Sequence, residues 1–315
     1  MITGASGMLG TALIDAFSEE VRVIAVSRQS VYEKPGVCRI IEDISRANVA
    51  TQIVQENRPD VVIHCAAIVD LDHCEDNYQE AFDLHVESTR ELGNSLNTYG
   101  GHLVYISTDS VFDGSEVGLY TENDSAHPLN SYAKTKLEGE VSARVCQNCT
   151  IIRTNIFGWS RAEKLSFAEW LIKSLVCQKR LNMFTDVYYT PIHVSHLAEI
   201  INKIVTEEVF GLYHVPGSDM VSKYDFAIIL AKIFNLSDEP ICRSSIDSSQ
   251  LKVRRPKNMA LAPEKIEQRL EVQMPGVQEG INLLKEQYHS GWLEKIKSRR
   301  IGSEYKFWEK NNVEI

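Results

Sequence analysis

The sequence predicts an α/β fold with one doubly wound parallel sheet, and three features carry the prediction. Apolar, β-branched runs alternate with amphipathic helical patterns through the first half of the chain. A glycine-rich turn opens the first helical pattern. Several of the apolar runs end in small or hydroxyl residues, as buried strands do where they meet a site. The expected division is a dinucleotide-binding unit over 1–155 plus about 194–217, and a smaller α/β substrate unit over about 156–193 plus 218–300. Residues 301–315 read as a tail without chemistry.

Composition narrows the function. With 315 residues, 43% hydrophobic and 24% charged, the chain can bury a sizeable core. A net charge of -10 argues against a general binder of nucleic acid or anionic membrane. No apolar run reaches the roughly 18 residues that a membrane span needs. Seven scattered cysteines, an odd number, predict reduced thiols and a cytoplasmic protein. Cys146 and Cys149 have CxxC spacing but stand without a second pair or nearby histidines, so they read as structural. His73 and Cys74 likewise lack metal-ligand partners, and no metal is assigned.

The elements follow in order. Gly4, Gly7 and Gly10, with Ser6, Met8 and Leu9, form a turn into a helix whose apolar positions are Leu9, Ala12, Leu13 and Phe17. Backbone N–H groups at such a helix start suit a pyrophosphate, and glycine permits close approach. Only residues 1–3 precede the turn, so the expectation is either a very short first strand or a start that lies upstream of residue 1. Val21 to Ser27 is the second strand. Ser27 and Arg28 close it about 20 residues past the glycines, where an acid would bind a ribose 2′-hydroxyl. A hydroxyl and a cation there suit a 2′-phosphate, favouring NADP(H) over NAD(H). Asp43, Ile44 and Ser45 end a third strand, and Ser45 is the expected cap of a helix carrying Val49, Ile53 and Val54. Val61 to Ala67 is a buried strand ending in the small residues Cys65, Ala66 and Ala67, where the cofactor is expected to lie close, as it is at Asp43 and Ile44, with His64 as a core histidine. Tyr78 to Asn97 reads as one continuous amphipathic helix.

Next comes the stretch richest in chemistry. A strand runs from Val104 into Ser107, Thr108 and Asp109. After a polar loop, Tyr132 and Lys136 stand one helical turn apart and share a face. An ammonium beside a phenol is expected to lower the phenol's pKa, as an acid/base tyrosine requires. Cys149 to Thr154 is a further strand leading into Asn155 and Ile156. In the second half, Phe167 to Val176 is helical, Asp186 to Val194 is strand-like with Ser195 as a helix cap, and Gly211 to Gly217 is a strand that can return to the main sheet. Ser222 to Phe234 is helical. Lys252 to Asn258 is a local basic cluster, either a solvated loop or a clamp for an anionic substrate.

Taken together, the TGASGMLG turn, STDSVFDG (107–114), PLNSYAKTKLEGE (128–140), IIRTNIFGW (151–159), GLYHVPG (211–217) and RRPKNMAL (254–261) resemble the extended short-chain dehydrogenase/reductase superfamily. Within it the chain is most similar to dTDP-4-dehydrorhamnose reductases, through nearly its whole length to about residue 290. The resemblance implies a Rossmann sheet, NADP(H), a nucleotide-sugar substrate and a homodimer formed through helices. It implies that Tyr132 gives a proton to a sugar carbonyl oxygen, Lys136 tunes it and holds the nicotinamide ribose, and Thr108 bonds the same oxygen. The glycines would hold the pyrophosphate and Arg28 the 2′-phosphate, while Asp109, Asn155, Ile156 and Arg255 face the substrate.

Two positions depart from the family pattern. His85 stands where the family has an asparagine that helps to fix the lysine. Ile156 stands where rhamnose-forming reductases tend to have an aromatic residue. Dehydratases of the superfamily carry an acidic residue where Ser110 stands here, which argues against water elimination. The expected function is NADPH-dependent reduction of a nucleotide-linked 4-keto-6-deoxy sugar. The alternatives are an epimerase or a non-catalytic, NADP-binding regulatory homologue.

Overall fold

The computed structural model describes residues 1–17, 21–161 and 164–297. Its centre is a seven-stranded sheet of β1 (Ile2–Thr3), β2 (Ile24–Ser27), β3 (Cys38–Ile41), β4 (Val61–His64), β5 (His102–Ile106), β6 (Asn148–Arg153) and β11 (Gly211–His214). The order is β11-β6-β5-β4-β1-β2-β3, and every pairing is parallel. The chain reverses its winding direction at β1, which opens a crevice beyond the strand ends. The short first strand is still central: Ile2 lies opposite Ala25 and Ile63, and Thr3 opposite Val26 and His64. The ladder continues through Met1, whose amino group donates to the Val61 carbonyl at 2.6 Å.

Helices cover both faces because β4 and β5 are apolar on both sides. On one face α1 (Met8–Ala16) packs on α8 (Val194–Thr206). On the other, α2 (Val49–Asn57), α5 (Ser88–Asn97) and α6 (Ser131–Ala143) pack side by side. Between β4 and α5 the chain forms α3 (Leu71–Asp76) and α4 (Tyr78–Phe82).

The remaining elements are α7 (Phe167–Val176), α9 (Lys223–Ile233), α10 (Glu264–Leu270), α11 (Val277–His289) and α12 (Trp292–Lys297), with three two-stranded ribbons. The ribbons pair β7 (Ile156–Phe157) with β10 (Ile192–His193), β9 (Tyr188–Tyr189) with β12 (Val221–Ser222), and β8 (Leu181–Phe184) with β13 (Ile241–Ser244). Their core is aromatic: the buried Phe226 meets Phe157 edge-on at 5.1 Å. That core runs without a break into the α1–α8 face.

Several local expectations are corrected. The third strand ends at Ile41, two residues before Asp43, whose carboxylate instead turns the chain by accepting from Ser45 N–H and hydroxyl. Ser45 is therefore no helix cap, and α2 starts after Asn48 in the left-handed region. The expected helix over 78–97 is continuous, with a π-turn at Asp83–Glu87 inside it. The strand-like run 186–194 splits into β9 and β10, since Pro191 has no N–H to offer a ladder. The cap of α8 is His193, whose ring accepts from Ser195 N–H, so Ser195 already lies inside the helix. The second strand begins at Ile24 rather than Val21. The tail 301–315 lies outside the described residues.

Candidate active site

The crevice at the reversal point is a cavity of about 940 Å³, bordered by the glycine turn, Ser27 and Arg28, Asp43 and Ile44, Cys65 to Ala67, Thr108 and Asp109, Tyr132 and Lys136, Asn155 and Ile156, and, of the basic cluster, Arg255. At its floor, Gly4 has φ +64°, and a Cβ there would stand 2.6 Å from Ala66 N, so the turn touches the end of β4 directly. A Cβ on Gly10 would stand 2.6 Å from Gly4 O, which closes the turn onto α1. Helix α1 has neither a side-chain cap nor an acid in its first turn. Its first N–H groups are thus available to an anion, as the fit of a pyrophosphate requires. Ser27 donates to Ser6 at 2.6 Å across the turn. Arg28 is exposed at the rim, with Nη1 3.9 Å from Asp43 Oδ2.

Under the floor, His64 is buried and its Nδ1 pairs with Thr3 Oγ1 at 2.7 Å. Burial, helped by the Lys136 charge, lowers its pKa to about 3, so it is a neutral core histidine. Burial pushes the Cys65 thiol up to about 12 and leaves it unreactive.

Strand β5 delivers Ser107, Thr108 and Asp109 to one wall, and α6 delivers Tyr132 and Lys136 to the same place. The helix starts there because Asn130 caps it, accepting from Ala133 N–H at 2.9 Å. Burial holds the Tyr132 phenol above its ordinary pKa, opposed by the neighbouring Thr108 hydroxyl. The expected lowering by the lysine is thus not the dominant effect: desolvation is. A phenol that stays protonated at neutral pH is a proton donor. Lys136 donates to the Ile106 carbonyl at 2.7 Å and lies 4.1 Å from the Tyr105 ring centroid. Burial lowers its pKa to about 7, against the charge of Glu140.

Asp109 is almost fully buried. Asn155 donates to one oxygen at 2.6 Å, while Thr108 at 3.1 Å and Ser110 at 3.2 Å donate to the other. Burial raises its pKa despite these bonds.

The π-turn explains the histidine at the asparagine position. His85 Nε2 accepts from Ile68 N–H at 2.9 Å, so the proton sits on Nδ1, which lies 2.8 Å from Thr135 Oγ1. Both nitrogens are committed to tying the β4 loop to α6, and neither reaches Lys136. The lysine is held instead by a strand carbonyl.

Some residues carry weight here that the sequence did not single out. Glu140 and Arg153 form a buried two-bond pair, Nε to Oε1 at 2.9 Å and Nη2 to Oε2 at 2.8 Å, and Ser107 donates to the same carboxylate at 2.5 Å. This clamp fixes α6 against β5 and β6. Lys164, Phe167 and the loop at Val69 to Asp72 form the opposite wall, and Lys164 meets Asp70 at 2.5 Å across it. No residue spacing encodes contacts between segments so far apart. The basic cluster divides: Lys252 pairs with Asp76 and Lys257 with Asp247, whereas Arg255 faces the cavity. Asn130 donates to the Arg254 carbonyl at 3.0 Å, so this loop is seated on the start of α6. Cys146 is buried against the Gly101 and Asn148 carbonyls.

A doubly wound parallel sheet with this glycine turn, and with a Tyr-xxx-Lys helix beside the strand ending in Ser-Thr-Asp, defines the extended short-chain dehydrogenase/reductase superfamily. Within it the chain belongs to the RmlD substrate binding domain family, which matches residues 1–290. It is similar to the protein named "Probable low-salt glycan biosynthesis reductase Agl14" of Haloferax volcanii, at 26% identity over 290 residues, 90% of this chain and 96% of that one. It is also similar to methionine adenosyltransferase 2 subunit beta of Bos taurus, at 30% identity over 278 residues, 85% of this chain and 81% of that one. The crystal structure of dTDP-4-dehydrorhamnose reductase from Bacillus anthracis in complex with NADP superposes with a TM-score of 0.80 at 26% identity, covering 91% of this chain and 98% of that one. Among the described residues, no helix is long and apolar enough to cross a membrane.

Proposed function

We propose that the protein is an NADPH-dependent reductase of a nucleotide-linked 4-keto-6-deoxy sugar. The observation that carries this reading is the convergence of a protonated Tyr132, Thr108 and Lys136 on one side of a cavity whose other end is an uncapped glycine turn. Bound at that turn, NADPH would supply a hydride. The turn and the first N–H groups of α1 would hold its pyrophosphate, and Arg28 with Ser27 its 2′-phosphate. The NADP complex of the Bacillus anthracis relative supports this cofactor.

The chain's own residues do the rest. Tyr132 gives its phenolic proton to the carbonyl oxygen as that oxygen becomes an alkoxide. Thr108 turns its hydroxyl from Asp109 toward the same oxygen. Lys136 stabilises the phenolate left behind and holds the nicotinamide ribose. Arg255 faces the diphosphate, and Asn155 and Ile156 face the sugar. A positioned acid of this kind contributes roughly 100- to 10,000-fold to rate.

The test follows oxidation of NADPH with an enzymatically prepared dTDP-4-keto-6-deoxy sugar. Tyr132→Phe is expected to lose at least about 100-fold in kcat while binding NADPH as the wild type does. Equal rates for the two proteins would remove Tyr132 from the chemistry. The similarity to a methionine adenosyltransferase subunit favours one second reading, a dinucleotide-binding subunit of another enzyme. That reading predicts NADPH binding without oxidation across a panel of 4-keto sugars.

A further inference from the structure

The helix that carries Tyr132 and the loop that carries Arg255 are joined by one buried side chain to which the reaction described above gives no part. Asn130 stands directly before α6 and is only 4% exposed. Its Oδ1 accepts from Ala133 N–H at 2.9 Å, and its Nδ2 donates to the Arg254 carbonyl at 3.0 Å. Each of these bonds grips a peptide unit, and a peptide unit moves as a rigid plate. The Ala133 N–H shares its plate with the Tyr132 carbonyl. The Arg254 carbonyl shares its plate with the Arg255 N–H. Tyr132 and Arg255 both border the cavity. A single planar carboxamide therefore sets the backbone beside each of them.

Two further ties run from α3 to these segments, and both lie at the surface. Ser131 N–H donates to Glu75 Oε2 at 3.1 Å, and Lys252 Nζ meets Asp76 at 2.6 Å. Exposed bonds of this kind hold position weakly. Past Arg255 the loop has anchors of its own. Tyr188 N–H donates to the Lys257 carbonyl at 2.7 Å, and Asn258 donates to the Glu116 and Gly118 carbonyls at 2.9 and 2.7 Å. Arg255 lies between those anchors and the Asn130 bond. The buried carboxamide is thus the firm link between the loop and the start of α6.

We propose that Asn130 is a positioning residue that holds Arg255 and Tyr132 in register, so that a ligand whose diphosphate meets Arg255 presents its reacting carbonyl to the phenol. The inference rests on the sugar-nucleotide reading of the cavity and gives Asn130 no contact with substrate. Such chemistry tolerates little misplacement: an error of about 1 Å can cost roughly 100-fold in rate. A carboxamide suits the task because it offers an acceptor and a donor on one plate. Aspartate and serine also cap helices. An ionised carboxylate, however, has no proton to give the Arg254 carbonyl, and a serine hydroxyl is too short to serve both partners.

The test compares Asn130→Asp and Asn130→Ser with the wild type as full chains. Both variants keep a helix cap, so melting temperature and NADPH affinity should stay near the wild-type values. Calorimetry on the NADP⁺-loaded chain, with dTDP and UDP as probes, should show about tenfold weaker binding of whichever nucleotide the wild type takes. With a nucleotide-linked 4-keto-6-deoxy sugar, kcat for NADPH oxidation should fall about 10- to 100-fold, a loss that a cap alone would not produce. In an Arg255→Met background, adding Asn130→Asp should change nucleotide affinity by less than about twofold, since both act through one group. Unchanged affinity and kcat in the variants overturn the proposal, whatever happens to the melting temperature, and so does a fully multiplicative loss in the double variant. A wild type that binds dTDP or UDP but oxidises NADPH with no 4-keto sugar would sink the reductase reading, and the variants' nucleotide affinities then decide the proposal alone. A wild type that binds neither nucleotide overturns both.

Discussion

Removing the charge of Glu140 should loosen the helix that carries Tyr132 and Lys136. The carboxylate accepts three hydrogen bonds, two from Arg153 and one from Ser107, and all three residues are at least 95% buried. In Glu140→Gln one of those oxygens becomes an NH₂ that faces a donor, and the guanidinium is left buried without its counter-charge. Breaking a buried pair from one side costs about 3–5 kcal/mol. With an unfolding entropy of about 2.1 cal/mol/K per residue, each kcal/mol moves the melting temperature of a chain this long by about 1.5 °C. The expected fall is therefore about 5–8 °C, read by calorimetry or circular dichroism. Arg153→Met alone should cost less, because the carboxylate keeps its hydrogen bond from Ser107. The double variant should lose at least about 2 kcal/mol less than the sum of the singles, since the two groups share one interaction. A fall below about 2 °C for Glu140→Gln, or strict additivity, would show that the pair does not hold α6.

Other perturbations reach the same site. Lys136 has a folded pKa of about 7 against an ordinary value of 10.5. The unfolded chain therefore binds more protons between those limits, and the wild type, without added nucleotide, should gain stability relative to Lys136→Met as pH rises from about 7 to about 10.5. A gap independent of pH across that window would contradict the burial argument. His85, with both nitrogens engaged and its pKa lowered to about 2, should stay neutral with the proton on Nδ1 between pH 5 and 8. Nitrogen NMR of labelled histidine checks this, and titration near pH 6.5 would disprove the tautomer. Arg28→Asp should weaken NADPH binding by about 10- to 100-fold, the worth of one charge-assisted contact to phosphate, while NADH binding changes little. Equal losses for both nucleotides would mean that Arg28 does not read the 2′-phosphate.

The Glu140 pair also shows how far the residues could be read without the fold. The sequence shows both GE (139–140) and IIRT (151–154) but gives no reason to join them, because the contact exists only once α6 lies across β5 and β6. The titration of Tyr132 is hidden from the sequence for a related cause. Spacing brings an ammonium near the phenol, but it does not reveal how deeply both are buried, and desolvation is the larger effect. Ser45 and Ser195 failed as caps because the Asp43 and His193 side chains took their N–H groups first.

Local and periodic features follow directly from the residues. Alternating strands and helices fix a parallel sheet, because parallel strands need crossovers. The glycine turn fixes a helix start without a cap, and one helical turn fixes Tyr132 and Lys136 on a shared face. The assembled fold governs whatever depends on desolvation and on which distant donors meet. It committed His85 to a loop and a helix, held the buried Tyr132 phenol above its ordinary pKa, and turned Arg255 alone of its cluster toward the cavity. The physical reason is that a charge's cost and a hydrogen bond's completion are properties of surroundings, and those surroundings are assembled from residues far apart in the chain.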